Sequence, residues 1–175
     1  MERQLGATVT WLPFDLHPEY PPEGLPREQL IARYGPEMTE RIRTFFAARG
    51  LDYNPNPDVV PNSMRAQQLT ELARDLGRHE AVHDRIMDAY WSEARNIGDP
   101  DVLRQLGAVL ELPADDVEEV LTTDRYRDQI VGSTQQAASM GANAVPAFVL
   151  DRRLLVLGAQ PTEVFEQAFA QVESA

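Results

Sequence analysis

Gly141-Ala142-Asn143-Ala144-Val145-Pro146-Ala147-Phe148-Val149-Leu150, continuing through Asp151-Arg152-Arg153 to Leu154-Leu155-Val156-Leu157 and Gly158, is where the periodicity of the chain changes. Two short apolar runs flank a polar, turn-like interruption, and a glycine ends the second run. That pattern predicts a β-hairpin. Just upstream the spacing is helical. Thr123 can cap a helix that runs on Tyr126, Ile130, Val131, Ala137 and Ala138 and closes at Gly141. Downstream, Pro161 starts a last helix on Val164, Phe165, Ala168, Phe169 and Val172.

Further out, residues 27–121 read as a helical block. Arg27 begins two helical pieces broken at Gly35-Pro36 and closed by Gly50, and a loop with three prolines follows over residues 51–61. Asn62 or Ser63 can cap a helix on Met64, Leu69, Leu72, Ala73 and Leu76, with Gly77 at its end. Val82, Ile86, Ala89, Tyr90 and Ala94 mark the next helix. Asp99-Pro100 starts another, on Val102, Leu103, Leu106, Val109 and Leu110, and Pro113 starts a short one ending near Leu121. Before the block, four prolines between His17 and Pro26 make a stiff loop. Earlier still, Thr8-Val9-Thr10-Trp11-Leu12-Pro13-Phe14 reads as a strand. The order is strand, helical block, hairpin, helix, an α/β arrangement. Trp11, Phe14, Phe148, Phe165 and Trp91 are expected in the core.

Composition narrows the chemistry. The chain has 175 residues, a net charge of −12 and no lysine, so all sixteen basic residues are Arg. Residues 99–128 carry much of the negative charge, which reads as a solvated helical surface. Nothing forms a basic stripe, so a nucleic-acid partner is not expected. No apolar run is long enough to span a membrane, and no signal peptide is visible; the expected location is the cytoplasm. There is no cysteine. A disulfide, a thiolate nucleophile and a Cys-ligated metal are all excluded.

Several short pieces together resemble the DsbA family, and more closely its FrnE-like and 2-hydroxychromene-2-carboxylate isomerase-like branches. They are Trp11-Leu12-Pro13-Phe14-Asp15-Leu16-His17-Pro18, Pro61-Asn62-Ser63, Asp88-Ala89-Tyr90-Trp91, Asn96-Ile97-Gly98-Asp99-Pro100-Asp101-Val102-Leu103, Gly141 to Val149, and Gly158-Ala159-Gln160-Pro161. The resemblance implies a thioredoxin fold with an inserted helical domain. Residues 1–26 and 122–175 would form the thioredoxin-like part and 27–121 the insertion. It also implies that Met1 to Leu5 is the last turn of the family's active-site helix. The first strand and the Cys-x-x-Cys turn would then lie outside this sequence, and the thioredoxin fold would be incomplete.

What the resemblance implies about function follows from that. Family members exchange disulfides through a thiolate at a helix N-terminus, and this sequence supplies none. No catalytic residue and no cofactor are assigned. The substrate side remains: Val145-Pro146 matches the family's cis-proline loop, where the residue before the proline offers its main chain to an extended peptide. Asn62 matches a position that faces glutathione in the isomerase relatives, and it also reads as a plain helix cap. Expected partners are a thiol- or disulfide-bearing protein or glutathione. Three further readings stand beside a redox-inactive oxidoreductase relative. One is a non-catalytic, peptide-binding or dimer-forming remnant, a possible homodimer; a second is a glutathione-linked isomerase. The third rests on His79-Glu80-Ala81-Val82-His83, which has the H-E-x-x-H spacing of zinc hydrolases. Glu93, Asp99 or Asp101 would have to supply its third ligand. Charged Arg78, Asp84 and Arg85 crowd that motif, and no metal is assigned.

Overall fold

The computed structural model describes residues 6–174. The expectation for Met1 to Leu5 therefore lies outside the described residues. The chain divides into two compact units. One holds the chain up to Leu16 together with everything from Gln129 onward; the other is His17–Asp128.

The helical unit begins with the proline loop. Its two-residue strand β1 (Leu25–Pro26) pairs antiparallel with β2 (Val59–Val60), so both segments expected as loops contribute a small ladder. Gly24 makes the approach possible. Its φ is +82°, and a Cβ there would sit 2.4 Å from the Val60 carbonyl oxygen. Around this ladder run α1 (Arg27–Tyr34), α2 (Pro36–Ala47), α3 (Met64–Asp75), α4 (His79–Trp91), α5 (Pro100–Val109) and α6 (Ala114–Thr122). Their order and approximate limits follow the helical spacing and the caps. The Asp99 side chain accepts the Asp101 N–H at 2.8 Å, with Pro100 in the first turn, as its sequence predicts.

Helix α3 is the centre of this unit and packs on α4, α5 and α6. Leu69, Leu72, Val82, Ile86, Leu103, Leu106 and Val120 are between 0% and 2% exposed. Gly107 lets α5 and α6 close together, since a Cβ there would come within 3.1 Å of Val117. Three polar residues of α3, Gln68, Thr70 and Glu71, join this core. Glu71 is fully buried and forks onto Arg74 with bonds of 2.9 and 3.1 Å. Gln68 accepts the Tyr126 N–H, and the Tyr126 hydroxyl donates to Asp75 at 2.6 Å. These bonds draw the chain through Tyr126 into the helical unit. This compact unit runs over residues 17–128, and the insertion expected at 27–121 lies within it.

The other unit holds the greater part of α7 (Arg127–Ser139), then β3 (Ala147–Leu150), β4 (Leu154–Leu157) and α8 (Thr162–Glu173). The hairpin is antiparallel, with Phe148 opposite Val156 and Leu150 opposite Leu154. Those four side chains face α8 and pack with Phe165, Ala168, Phe169 and Val172. Strand alternation puts Val149 and Leu157 on the opposite face, and both are exposed.

Two expectations need correction. Residues 8–14 form no strand. The segment is tied to α7 by side chains instead: the Ser133 hydroxyl donates to the Pro13 carbonyl at 2.7 Å and the Asp15 N–H to Thr134 Oγ1 at 2.8 Å. Pro13 has no N–H to give a ladder. Trp11, expected in the core, is 53% exposed, because without a sheet on either side its segment buries neither face. Phe165 is buried, whereas Phe14, Phe148 and Trp91 are only half-buried. Trp91 sits in a cluster with Phe46, Tyr53 and Tyr90.

Candidate substrate-docking site

Two residues after α7, Gly141 has a φ of +93° that reverses the chain, and the loop to β3 begins there. The Val145–Pro146 peptide bond is cis. Pro146 cannot donate, but its carbonyl accepts the Gly158 N–H at 2.8 Å, one step beyond the Ala147–Leu157 pair. The hairpin is thus hydrogen-bonded up to Pro146 and stops there. Val145 is 52% exposed, and among the described residues neither its N–H nor its C=O has a protein partner. An exposed, unpaired main-chain donor and acceptor at the end of a strand is what a strand-addition contact uses.

Asn62 is in the helical unit, whereas Val145 and Pro146 are in the other. Its amide already bridges two protein groups: Oδ1 accepts the Met64 N–H at 2.9 Å, at the start of α3, and Nδ2 donates to the Tyr20 carbonyl at 2.8 Å. It also lines a polar cavity together with Arg65 and Gln68. Neither of those two stood out in the sequence. A glutamine next to the apolar stripe of α3 was the only signal of Gln68, and Arg65 looked like any surface arginine.

The zinc-like motif places its histidines as the spacing predicts, but not its other parts. The His79 and His83 rings stack 5.8 Å apart, nearly parallel, along α4. Burial, and next the positive charge of Arg74, push the His79 pKa down. The residues proposed as a third ligand are engaged elsewhere: Glu93 with Arg85, Asp99 at the α5 cap and Asp101 with Arg104. Among the described residues no group of three His, Cys, Asp or Glu side chains could hold a metal. This donor set does not fit a zinc centre.

A hairpin led by a proline loop, followed by a helix, with helices inserted earlier in the chain, points to one family. The family model described as a DSBA-like thioredoxin domain matches residues 1–170. The chain belongs to the DsbA-like thioredoxin family. A crystal structure described as the probable DsbA oxidoreductase SCO1869 from Streptomyces coelicolor is 32% identical, with a TM-score of 0.81 over 92% of this chain and 73% of that one. The cytosolic disulfide reductase DsbM from Pseudomonas aeruginosa is 25% identical, with a TM-score of 0.52, covering 69% of this chain and 63% of that one. The uncharacterized protein YwbO of Bacillus subtilis is 26% identical over 166 residues, or 93% of this chain and 80% of YwbO. As a DsbA-like domain the chain is a mixed α/β thioredoxin-type fold with a helical insertion. Among the described residues, no helix is long and apolar enough to cross a membrane.

Proposed function

We propose that this chain carries the substrate-docking side of a DsbA-family thiol–disulfide oxidoreductase site, of the FrnE-like branch, and exchanges no disulfide with its own residues. The observation that carries this reading is the exposed N–H and C=O of Val145 beside Pro146, unpaired among the described residues. The substrate is an extended segment of a thiol- or disulfide-bearing protein, or glutathione, met in the cytoplasm. Asn62 is a secondary substrate-side contact. The sequence has no cysteine, so these residues supply no thiolate of their own.

The test is a titration of isotope-labelled protein with an extended peptide centred on S-methylcysteine. The Val145 amide resonance should shift and gain protection from hydrogen exchange. Val145→Ala should keep binding within about threefold, because the main chain makes the contact. A peptide that binds without moving the Val145 amide, or no binding at all, sinks this reading. Insulin reduction by the chain alone should stay at background.

A second reading, a dimer-forming protein, is favoured by the exposed Val149 and Leu157 on the hairpin face away from α8 and by exposed Trp11 and Leu12. Light scattering after size exclusion tests it. A monodisperse monomer at a protein concentration of about 100 μM removes it.

A further inference from the structure

The helical unit contains a polar cavity of about 240 Å³ between the first turn of α3 and the chain leading from α6 into α7. Asn62, Arg65, Gln68, Thr123, Asp124 and Arg127 line it. Its volume is below the roughly 300–1,000 Å³ of pockets for drug-sized ligands, so it suits a molecule of few atoms.

The state of its polar groups suggests the chemistry of that molecule. The chain has 28 acidic residues for its 16 arginines, so a carboxylate is easily found. Arg65 has none. Among the described residues it forms no salt bridge, and its one hydrogen bond is a long contact of 3.4 Å from Nη1 to the Gly98 carbonyl. It is nonetheless half-buried. Gln68 is 2% exposed. Its Oε1 accepts the Tyr126 N–H at 3.1 Å, while Nε2 reaches only the Thr123 carbonyl at 3.4 Å. An amide nitrogen carries two donors, so a second N–H of Gln68 has no partner among the described residues. A buried, half-used amide costs stability unless something completes it. Among the described residues Asp124 brings the only carboxylate to the cavity lining, and Arg127 offsets it at 3.5 Å. The lining therefore keeps one uncompensated positive charge and at least one free donor.

We propose that this cavity binds a small oxyanion, a carboxylate or a phosphate, held by the Arg65 guanidinium and the Gln68 amide. A guanidinium presents a planar fork of N–H groups that fits both anions bidentately. The buried amide adds a directional donor that bulk solvent cannot replace. Asn62 lines this cavity and is also the secondary contact of the proposed function, but nothing in this argument depends on Val145, so the oxyanion site and the Val145 dock stand or fall separately.

The test titrates the whole chain with inorganic phosphate and with succinate at constant ionic strength, using succinamide as the uncharged control. The readout is the Arg65 Nε–H resonance, assigned through Arg65→Gln. A saturable shift with a dissociation constant of about 1 mM or below is expected. Binding by Arg65→Gln should be at least about tenfold weaker, while Arg49→Gln, in the turn after α2, should leave it unchanged. A response to phosphate alone, to succinate alone or to both supports the site and shows which oxyanion it prefers. No saturable shift up to about 10 mM, equal binding of succinamide, or undiminished binding by Arg65→Gln overturns it. If Arg65→Gln does not fold, the resonance is assigned through bonds, and the anion-against-succinamide comparison in the unmodified chain decides.

Discussion

The core around α3 and the cluster around the hairpin close to different degrees. In the helical unit Leu69, Leu72, Ile86, Leu103 and Leu106 lie between 0% and 2% exposed, whereas the hairpin cluster of Leu150, Val156, Phe165 and Ala168 stays between 5% and 8%. The difference follows from how each is built. Helix α3 is surrounded by three other helices. The hairpin has one face on α8, and its other face carries Val149 and Leu157 into solvent. A two-stranded sheet with one covered face is a weak unit by itself. Stability thus concentrates in the helical insertion, and the Val145-Pro146 loop is carried by the less closed hairpin.

The largest expected effect tests that contrast. Leu69→Ala should destabilise by about 3–5 kcal/mol, since the site is fully enclosed. Leu154→Ala, at a half-buried position of β4, should cost only about 1–2 kcal/mol. Chemical denaturation of both variants checks this, and equal losses would break the comparison. Native-state hydrogen exchange sharpens it: amides of α3 and α4 should exchange more slowly than those of β3 and β4.

A smaller effect concerns pH. Burial, and next the bond to Asp75, push the Tyr126 hydroxyl up to about 12, and burial also raises Tyr20 and Tyr90. A folded-state pKa above the ordinary value near 10 means that the unfolded chain loses its proton first. The contribution of Tyr126 is therefore complete below pH 10 and is lost as pH rises towards about 12. With no lysine or cysteine in the sequence, tyrosines are the side chains that titrate in this window. Tyr126→Phe should lower stability by about 1 kcal/mol at neutral pH and flatten the alkaline decline, as followed by thermal melts from pH 8 to 12. A steeper decline in the variant would contradict the assignment.

The smallest expected effect belongs to the hairpin turn and has the opposite sign. Asp151 and Arg152 have φ of 47° and 58°, and the Arg153 N–H bonds the Leu150 carbonyl at 3.0 Å. Two left-handed residues in a tight hairpin favour Asn-Gly. Asp151→Asn combined with Arg152→Gly should stabilise by about 1 kcal/mol. The gain should appear as slower exchange of the β3 and β4 amides, and unchanged exchange there would show that the turn does not limit this unit.

What was legible in the sequence depended on whether the signal was local. Helix periodicity, the Asp99 cap and the two apolar runs around Asp151-Arg152-Arg153 are read within about a dozen neighbours, and all appear in the structure. Residues 8–14 look like a strand by composition, but a strand exists only where a neighbour pairs with it, and composition does not reveal the neighbour. The exposure of Trp11 follows from the same gap. The β1–β2 ladder joins residues 25 and 60 across the sequence, a pairing that no local pattern marks. At the candidate site, Val145-Pro146 was visible as a motif, whereas the roles of Arg65 and Gln68 depend on charges and bonds brought in from Gly98, Thr123 and Tyr126.

The open main chain of Val145 has a consequence for selectivity. An N–H and a C=O are the same in every residue except proline, so a contact made through them does not distinguish one side chain from another. On the proposed reading, a visiting segment would be accepted for being straight and for lacking proline at the paired position. Such a dock would tolerate many sequences and discriminate by backbone shape, leaving the choice of cargo to whatever lies beside the loop.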